Sequence, residues 1–321
     1  MMENFAVIDL GSNSVRMTIS KVGGDGTYQT MTQMKEYVRL SENMGVEKIL
    51  QPDAIERTIK ALREFKEVYS KLDNLKIKAV ATAAVRQAAN QKQFLKKVKS
   101  EIGIDLNVIS GSQEAYYDYV GVSETLPATN GVIIDTGGAS AEIILVQNGK
   151  VSNLISIPIG SVTLSSKFDL SNEVSAAELF KAVIFVNKIY SNVWWLRNGL
   201  NLPIIGLGGS NRTLAKINRR FNNLLDTDDI HGYQLRNSDV NDTFQRIISK
   251  NLEERKEVPG ISKDRADIIV GGLIPVILLM NFLDSDRITF STSGLREGIL
   301  FERLHEIIKE NVKDMSEEEL L

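Results

Sequence analysis

The pattern AVIDLGSNSVRMTI at residues 6–19 returns as VIIDTGGASAEIILV at residues 132–146. Each time an apolar run delivers one aspartate, a turn of small residues follows, and a second apolar run begins. Asp9 and Asp135 stand 126 residues apart, and Arg86 in AVATAAVR and Arg212 in GLGGSNR keep that same offset of 126. A third landmark, ISGSQEA at 109–115 and TSGLREG at 292–298, recurs at 183, so the second copy carries 57 more residues between Arg212 and Gly294. Repeats this long each hold a complete α/β core, which restricts the chain to two similar domains and excludes a solenoid.

Patterning within the first copy predicts three strands (FAVIDL, VRMTISKV, TYQTMTQM), a helix over 52–72, a strand KIKAVA, a helix from about Arg86 to Glu101, a strand LNVI and a helix from about Gln113. The second copy predicts the same order. Its strands are GVIIDT, AEIILVQN, KVSNLISIPI and LPIIGL, and its helices lie near 175–197 and from about Asn211. The expected domains are 1–126, joined by a returning C-terminal helix over about 299–321, and 127–298 with a helical insertion over about 219–285. The expected linker is LPATNG at 126–131, and the acidic tail KDMSEEELL is expected to fray.

Composition removes several classes of function. The chain of 321 residues has no cysteine, which excludes disulfides, thiolate metal sites and cysteine nucleophiles and fits a reducing cytoplasm. Two histidines, His231 and His305, are too few for a histidine-rich metal site. A net charge of −3 gives no global field toward nucleic acid or membrane, so an anionic ligand must be gathered by locally placed arginine and lysine. The N-terminus runs straight into a strand pattern, without the marks of a signal peptide. The apolar stretch 268–283, interrupted by Gly271, Gly272 and Pro275, reads as a buried helix.

The turns carry the chemistry. Gly11, Ser12, Asn13 and Ser14 in the first, Gly137, Gly138 and Ser140 in the second, and Gly208, Gly209 and Ser210 before a helix offer donors of the kind that hold phosphates. Any one of them alone reads equally well as a tight hairpin. Arg16 and Glu142 occupy equivalent positions of the two copies, a cation for phosphate in one and a carboxylate in the other. Asp135 and Glu142 together offer oxygen ligands suited to Mg²⁺, or Mn²⁺, rather than zinc. Glu114, in the first turn of a helix, reads either as a capping or dipole residue or as a general base.

Assembled in order, DLGSNSVRM, EYVRLSENM, ATAAVRQAAN, ISGSQEAYYDYVGV, DTGGASAE, IPIGSVTL, GLGGSNRTLAK, HGYQL, PGISKDRADIIVGG and SGLREG span nearly the whole chain. Together they resemble the exopolyphosphatase/guanosine-pentaphosphatase (Ppx/GppA) family of the actin–sugar kinase–Hsp70 superfold. The resemblance implies an α/β fold of two duplicated actin-like (ribonuclease H-like) domains with an interdomain cleft. It implies Glu114 as catalytic base and Asp135 and Glu142 as metal carboxylates. Around the phosphates it implies Ser12, Asn13, Arg86, Gly137, Gly138, Ser140, Gly208, Gly209 and Ser210, to which Ser14, Arg16 and Arg212 are added from their places beside the turns.

The implied activity is metal-dependent release of the terminal phosphate of polyphosphate, guanosine pentaphosphate or both. An ATP-dependent kinase of the same superfold and a non-catalytic sensor are the alternatives. The expected partner is the substrate, with no nucleic-acid polymer and no membrane, and a homodimer is left open. Ala139 and Ala141 depart from the family's glycine and threonine or serine, and the longer members' C-terminal helical domain has no counterpart. Arg265 and Arg296 are candidates to extend the phosphate path, each equally readable as a structural ion pair. His231 reads as a structural histidine.

Overall fold

The computed structural model describes residues 2–318, with side chains through 311. The side chains of the whole tail expected to fray, 313–321, therefore lie outside the described residues. By packing, the chain divides into two units, Met1–Gln113 with Leu295–Leu321, and Glu114–Gly294.

The first unit holds β1 (Glu3–Leu10), β2 (Ser14–Val22), β3 (Tyr28–Tyr37), α1 (Pro52–Tyr69), β4 (Leu75–Ala81), α2 (Ala83–Gln87), α3 (Gln91–Ile102) and β5 (Leu106–Val108). Its sheet runs β3-β2-β1-β4-β5. Strand alternation sends Ala6, Ile8 and Leu10 of β1 into a core with Ile59, Leu62 and Phe65 of α1. The opposite face carries the long helix α11 (Leu295–Glu318), whose Arg303 holds Glu3 at 2.9 Å and whose Arg296 donates to Thr18 Oγ1 at 2.9 Å. The helix expected over 86–101 is broken into α2 and α3, because Ala88 is extended (ψ 128°) and Asn90 pairs both backbone groups of Leu50 at 3.0 Å. That tertiary pairing competes with helix continuation.

The second unit holds β6 (Gly131–Thr136), β7 (Ala141–Gln147), β8 (Lys150–Ile157), α5 (Ser161–Lys167), α6 (Ala176–Asn192), β9 (Ile204–Leu207), α7 (Gly208–Phe221), β10 (Gln234–Arg236), α8 (Asn237–Ile248), α9 (Leu252–Lys256), α10 (Ile269–Phe282) and β11 (Arg287–Phe290). It also takes in α4 (Gly111–Ser123) from Glu114 onward. The sheet order β8-β7-β6-β9-β11 repeats that of the first unit, and β10 from the insertion adds an antiparallel edge. The duplication extends to a defect: pairing slips between Ile19 and Ser20 of β2 and again between Leu145 and Val146 of β7, 126 residues on. Helix α6 ends at Asn192, short of the expected 197, and a 3₁₀ turn follows at Leu196–Gly199.

The two faces of the second sheet have separate cores. Val132, Ile134, Ala141, Ile143 and Leu145 face α5, α6, α7 and α10, while Ile133, Ile144, Val146, Ile205 and Leu207 pack with Ala115 and Val122 of α4. That second packing is why α4 belongs with this unit and the division falls at Gln113/Glu114 rather than at 126/127. The apolar stretch 268–283 forms the buried helix α10, and among the described residues no helix is long and apolar enough to cross a membrane.

Within the insertion, Arg255 is fully buried and donates to the carbonyls of Lys250 (3.0 Å), Leu170 and Ser171 (3.2 Å each) and Asn172. Burial lowers its pKa from the usual arginine range. The guanidinium fork closes a loop end that has no other donors among these bonds, and a methionine of similar volume leaves those carbonyls unsatisfied. Arg255→Met is expected to lower unfolding free energy by about 3 kcal/mol, and Arg255→Lys to recover only part of it, read by urea denaturation.

Candidate functional site

In the second unit, the β6–β7 hairpin closes with Gly137 N–H donating to the Ser140 carbonyl at 3.0 Å. Its strands put Asp135 directly opposite Glu142, Glu142 opposite Ser156 of β8, and Asp135 beside Leu207 of β9. A row Leu207–Asp135–Glu142–Ser156 therefore crosses the sheet near its turn ends. Because Ile133 and Ile144 face α4, Asp135 and Glu142 lie on that same face by the two-residue period. Glu142 is only 1% exposed, and its Oε1 accepts a hydrogen bond from Ser156 Oγ at 2.7 Å. Two carboxylates side by side, one almost wholly buried, need positive charge nearby.

The start of α7 supplies a cradle next to this row. Gly208 has φ +88°, and a Cβ there would stand 2.4 Å from Asp135 Oδ1 and 2.5 Å from the Thr136 carbonyl. A Cβ on Gly209 would meet Arg265 Nη2 at 1.8 Å. The pair of glycines thus lets a carboxylate and a guanidinium close over the first turn of a fourteen-residue helix. Ser210 is fully buried in that turn, and its hydroxyl has no hydrogen-bond partner in the protein. Arg212 is half-buried one turn further along.

Gly137 and Gly138 are held from below: the Gly137 carbonyl accepts from Ser161 N–H (2.9 Å) and Oγ (3.1 Å), and the Gly138 carbonyl from Val162 N–H at 2.8 Å. The Gly137 amide, expected as a phosphate donor, is used inside the hairpin. Ser140 is buried beside it. Ala141 packs into the main core on the opposite face from Glu142, so the missing hydroxyl there takes nothing from the carboxylate row.

Glu114 stands in the first turn of α4, the helix that covers this face. The helix is capped reciprocally by its neighbours, Gln113 N–H to Ser110 Oγ at 3.1 Å and Ser110 N–H to Gln113 Oε1 at 3.0 Å. The start of this helix is therefore capped by the Ser110–Gln113 pair. One turn on, Asp118 is fully buried, with Oδ1 only 3.0 Å from the Cβ position of Gly294, where Leu207 Cδ2 also lies 3.0 Å away. Sequence reasoning missed Asp118; its signal was an acid four residues after Glu114 among apolar neighbours. Arg265 comes to the site, while Arg296 serves structure, bonded to Thr18 and 3.7 Å from Glu297. His231 is structural as read: its Nδ1 accepts from Thr292 N–H at 3.2 Å, leaving Nε2–H to donate to the Thr125 carbonyl at 3.2 Å.

The first unit repeats the frame with different charges. Gly11 N–H closes its hairpin on the Ser14 carbonyl at 3.0 Å, Asp9 lies opposite Arg16, and Arg16 lies opposite Lys35. Ser12, Asn13 and Ser14 are buried, and the Asn13 carbonyl accepts from Val38 and Arg39 N–H. Arg86 is half-buried on α2 and donates to the Ile109 carbonyl at 2.9 Å. Its equivalence to Arg212 is approximate: Asp9 is level with Val80 and Asp135 with Leu207, an offset of 127 on this strand rather than 126.

A family model described as the Ppx/GppA phosphatase family matches residues 18–307. The chain is 31% identical over 309 residues to a bifunctional 3-dehydroquinate synthase/phosphatase of Fusobacterium nucleatum, covering 92% of this chain and 46% of that protein. It is 29% identical to a guanosine-5'-triphosphate,3'-diphosphate pyrophosphatase of Vibrio atlanticus, covering 96% of this chain and 61% of that one. It thus spans about half to three-fifths of the length of these curated relatives. Among solved structures, the Aquifex aeolicus Ppx/GppA family member superposes with TM-score 0.78 at 31% identity, over 97% of this chain and 99% of that one. An exopolyphosphatase from Cytophaga hutchinsonii shares the fold at TM-score 0.88 and 23% identity, over 95% and 98% of the two chains. With the duplicated sheets, the paired carboxylates and a match over most of its length, the chain belongs to the Ppx/GppA phosphatase family.

Proposed function

We infer that the chain is a metal-dependent phosphoanhydride hydrolase that releases the terminal phosphate of inorganic polyphosphate, of guanosine pentaphosphate, or of both. The observation that carries this reading is the Asp135–Glu142 pair beside a helix start kept open by Gly208 and Gly209. Carboxylates suited to a cation and a helix N-terminus suited to an anion stand together, which is what a metal-bound phosphate needs.

The donor set fits magnesium or manganese. Among the described residues no three His, Cys, Asp or Glu form a metal-holding group. Mg²⁺ is commonly held by one or two carboxylates, with water and substrate oxygens completing the shell, whereas zinc needs more protein ligands. Asp135 and Glu142 would hold the ion, which when bound supplies positive charge against the phosphate oxygens. Glu114 would accept a proton from the attacking water as its oxygen bonds the terminal phosphorus and the bridging P–O bond breaks toward the shortened chain. The first turn of α7 and Arg265 would stabilise the charge spreading over the equatorial oxygens.

Phosphate release from polyphosphate and from guanosine pentaphosphate, measured side by side with Mg²⁺ and after chelation, tests the reading. Release from neither substrate overturns it. Asp135→Asn and Glu142→Gln are expected to raise the Mg²⁺ concentration for half-maximal rate by about tenfold or more, since each removes one charge from the pair. Activation curves that overlay the wild type would move the metal elsewhere.

A further inference from the structure

Helix α6 of the second unit is apolar on both sides but packed on only one. Ala182, Val186 and Tyr190 face inward, and the Tyr190 hydroxyl donates to the Pro275 carbonyl at 2.7 Å. On the flank, Phe185 meets Phe168 with ring centres 5.4 Å apart. The solvent side of such a helix is ordinarily charged or polar. Here it carries Phe180, 64% exposed, and Ile184, 51% exposed, one turn apart. Trp194, two residues past the last residue of the helix, is 81% exposed. Single exposed apolar residues are ordinary, but two at a four-residue spacing form a stripe on a well-anchored helix.

The two ends of the stripe differ in charge and in size. Before the helix stands exposed Glu173, and the first turn exposes only Ala176 and Ala177. Past the stripe stand exposed Lys188 and Ser191, and then Trp194. Lys181 is held by Glu178 at 2.7 Å, whereas Lys188 has no acid three or four residues away on its own helix. A second α6 laid antiparallel on the first matches these ends. With the two-fold axis midway between Phe180 and Ile184, the apolar stripes meet each other. Lys188 is then about 9 Å from the axis, level with Ala176 of the second copy, with Glu173 just beyond and within reach of a lysine stem. The bulky end comes over the small one, and opposite helix dipoles lie side by side. A parallel pairing would set Lys188 on Lys188 and Glu173 on Glu173. A lipid surface suits the helix less well, because interfacial helices carry a polar face rich in Lys and Arg. The side of α6 opposite the stripe is instead buried in protein.

We propose that α6 is the contact face of a homodimer, in which Phe180 and Ile184 pack on the same residues of a second, antiparallel copy. One helix face is smaller than the roughly 1,200 Å² at which stable interfaces begin, so micromolar association is expected. The proposal does not depend on the hydrolase reading, and its test involves no substrate.

Sedimentation equilibrium of the full chain from about 1 to about 200 µM reads the association directly. Phe180→Ser is expected to weaken it about tenfold or more. The side chain is exposed, so folding is expected to be unaffected, and a thermal melt checks it. Lys188→Glu and Glu173→Lys are each expected to weaken the dimer about two- to fivefold, and the double variant to recover it. A chain that stays monomeric throughout the range overturns the proposal, as does a dimer that Phe180→Ser leaves intact. Failure of the double variant to recover what the single variants lose overturns the antiparallel pairing. Vesicles of phosphatidylcholine and phosphatidylglycerol form the second arm. A monomer that co-sediments with them, and loses this in Phe180→Ser, gives the face to lipid and overturns the dimer.

Discussion

Glu114→Gln is expected to lose phosphate release by about 10²–10⁴-fold while still binding substrate, the usual consequence of removing a general base and keeping its size. The structure sharpens the reason for choosing this residue over its neighbours. The N-terminus of α4 is already capped by the reciprocal Ser110–Gln113 pair, so the amide variant leaves the cap in place. A loss of rate in Glu114→Gln therefore does not arise from a frayed helix, and Gln113→Ala serves as the control that disturbs the cap alone. Single-turnover phosphate release with saturating Mg²⁺ reads the effect. Glu114→Gln within a few-fold of wild type, or Gln113→Ala equally slow, would remove the base from this position.

Much of this was legible because the duplication is written in the residues that set register. Asp9 and Asp135 mark the same point of two sheets, and the residues opposite them, Arg16 and Glu142, follow from hairpins of equal length. Periodicity likewise gave α10 as a buried helix and the chain order of the strands through β9, while the short β10 and β11 were missed. What escaped depended on contacts between distant segments. The break at Ala88 comes from Asn90 reaching Leu50, and α4 belongs with the second sheet because Ala115 and Val122 complete its outer core. Arg265 was already a candidate for the phosphate path, but its place over Gly209 joins residues 56 apart, and no local pattern announces that contact.

Gly208→Ala is expected to damage both stability and metal use, and a comparison with Gly149 separates the causes. Both glycines have positive φ, +88° and +70°, so alanine at either incurs the left-handed penalty of about 1–2 kcal/mol. Around Gly149 nothing lies within 4 Å of the added Cβ, and strain is the whole effect. At Gly208 the methyl meets Asp135 Oδ1 and the Thr136 carbonyl, and the second of these is backbone that cannot rotate away. Overpacking adds about 1–3 kcal/mol, so Gly208→Ala is expected to be the less stable of the two by that margin in urea denaturation. The carboxylate is the softer of the two obstacles and yields first, which turns Asp135 out of line with Glu142. Mg²⁺ activation should then weaken in Gly208→Ala and stay at the wild-type value in Gly149→Ala. Equal stability in the two variants, with equal Mg²⁺ dependence, would mean that α7 does not begin against Asp135.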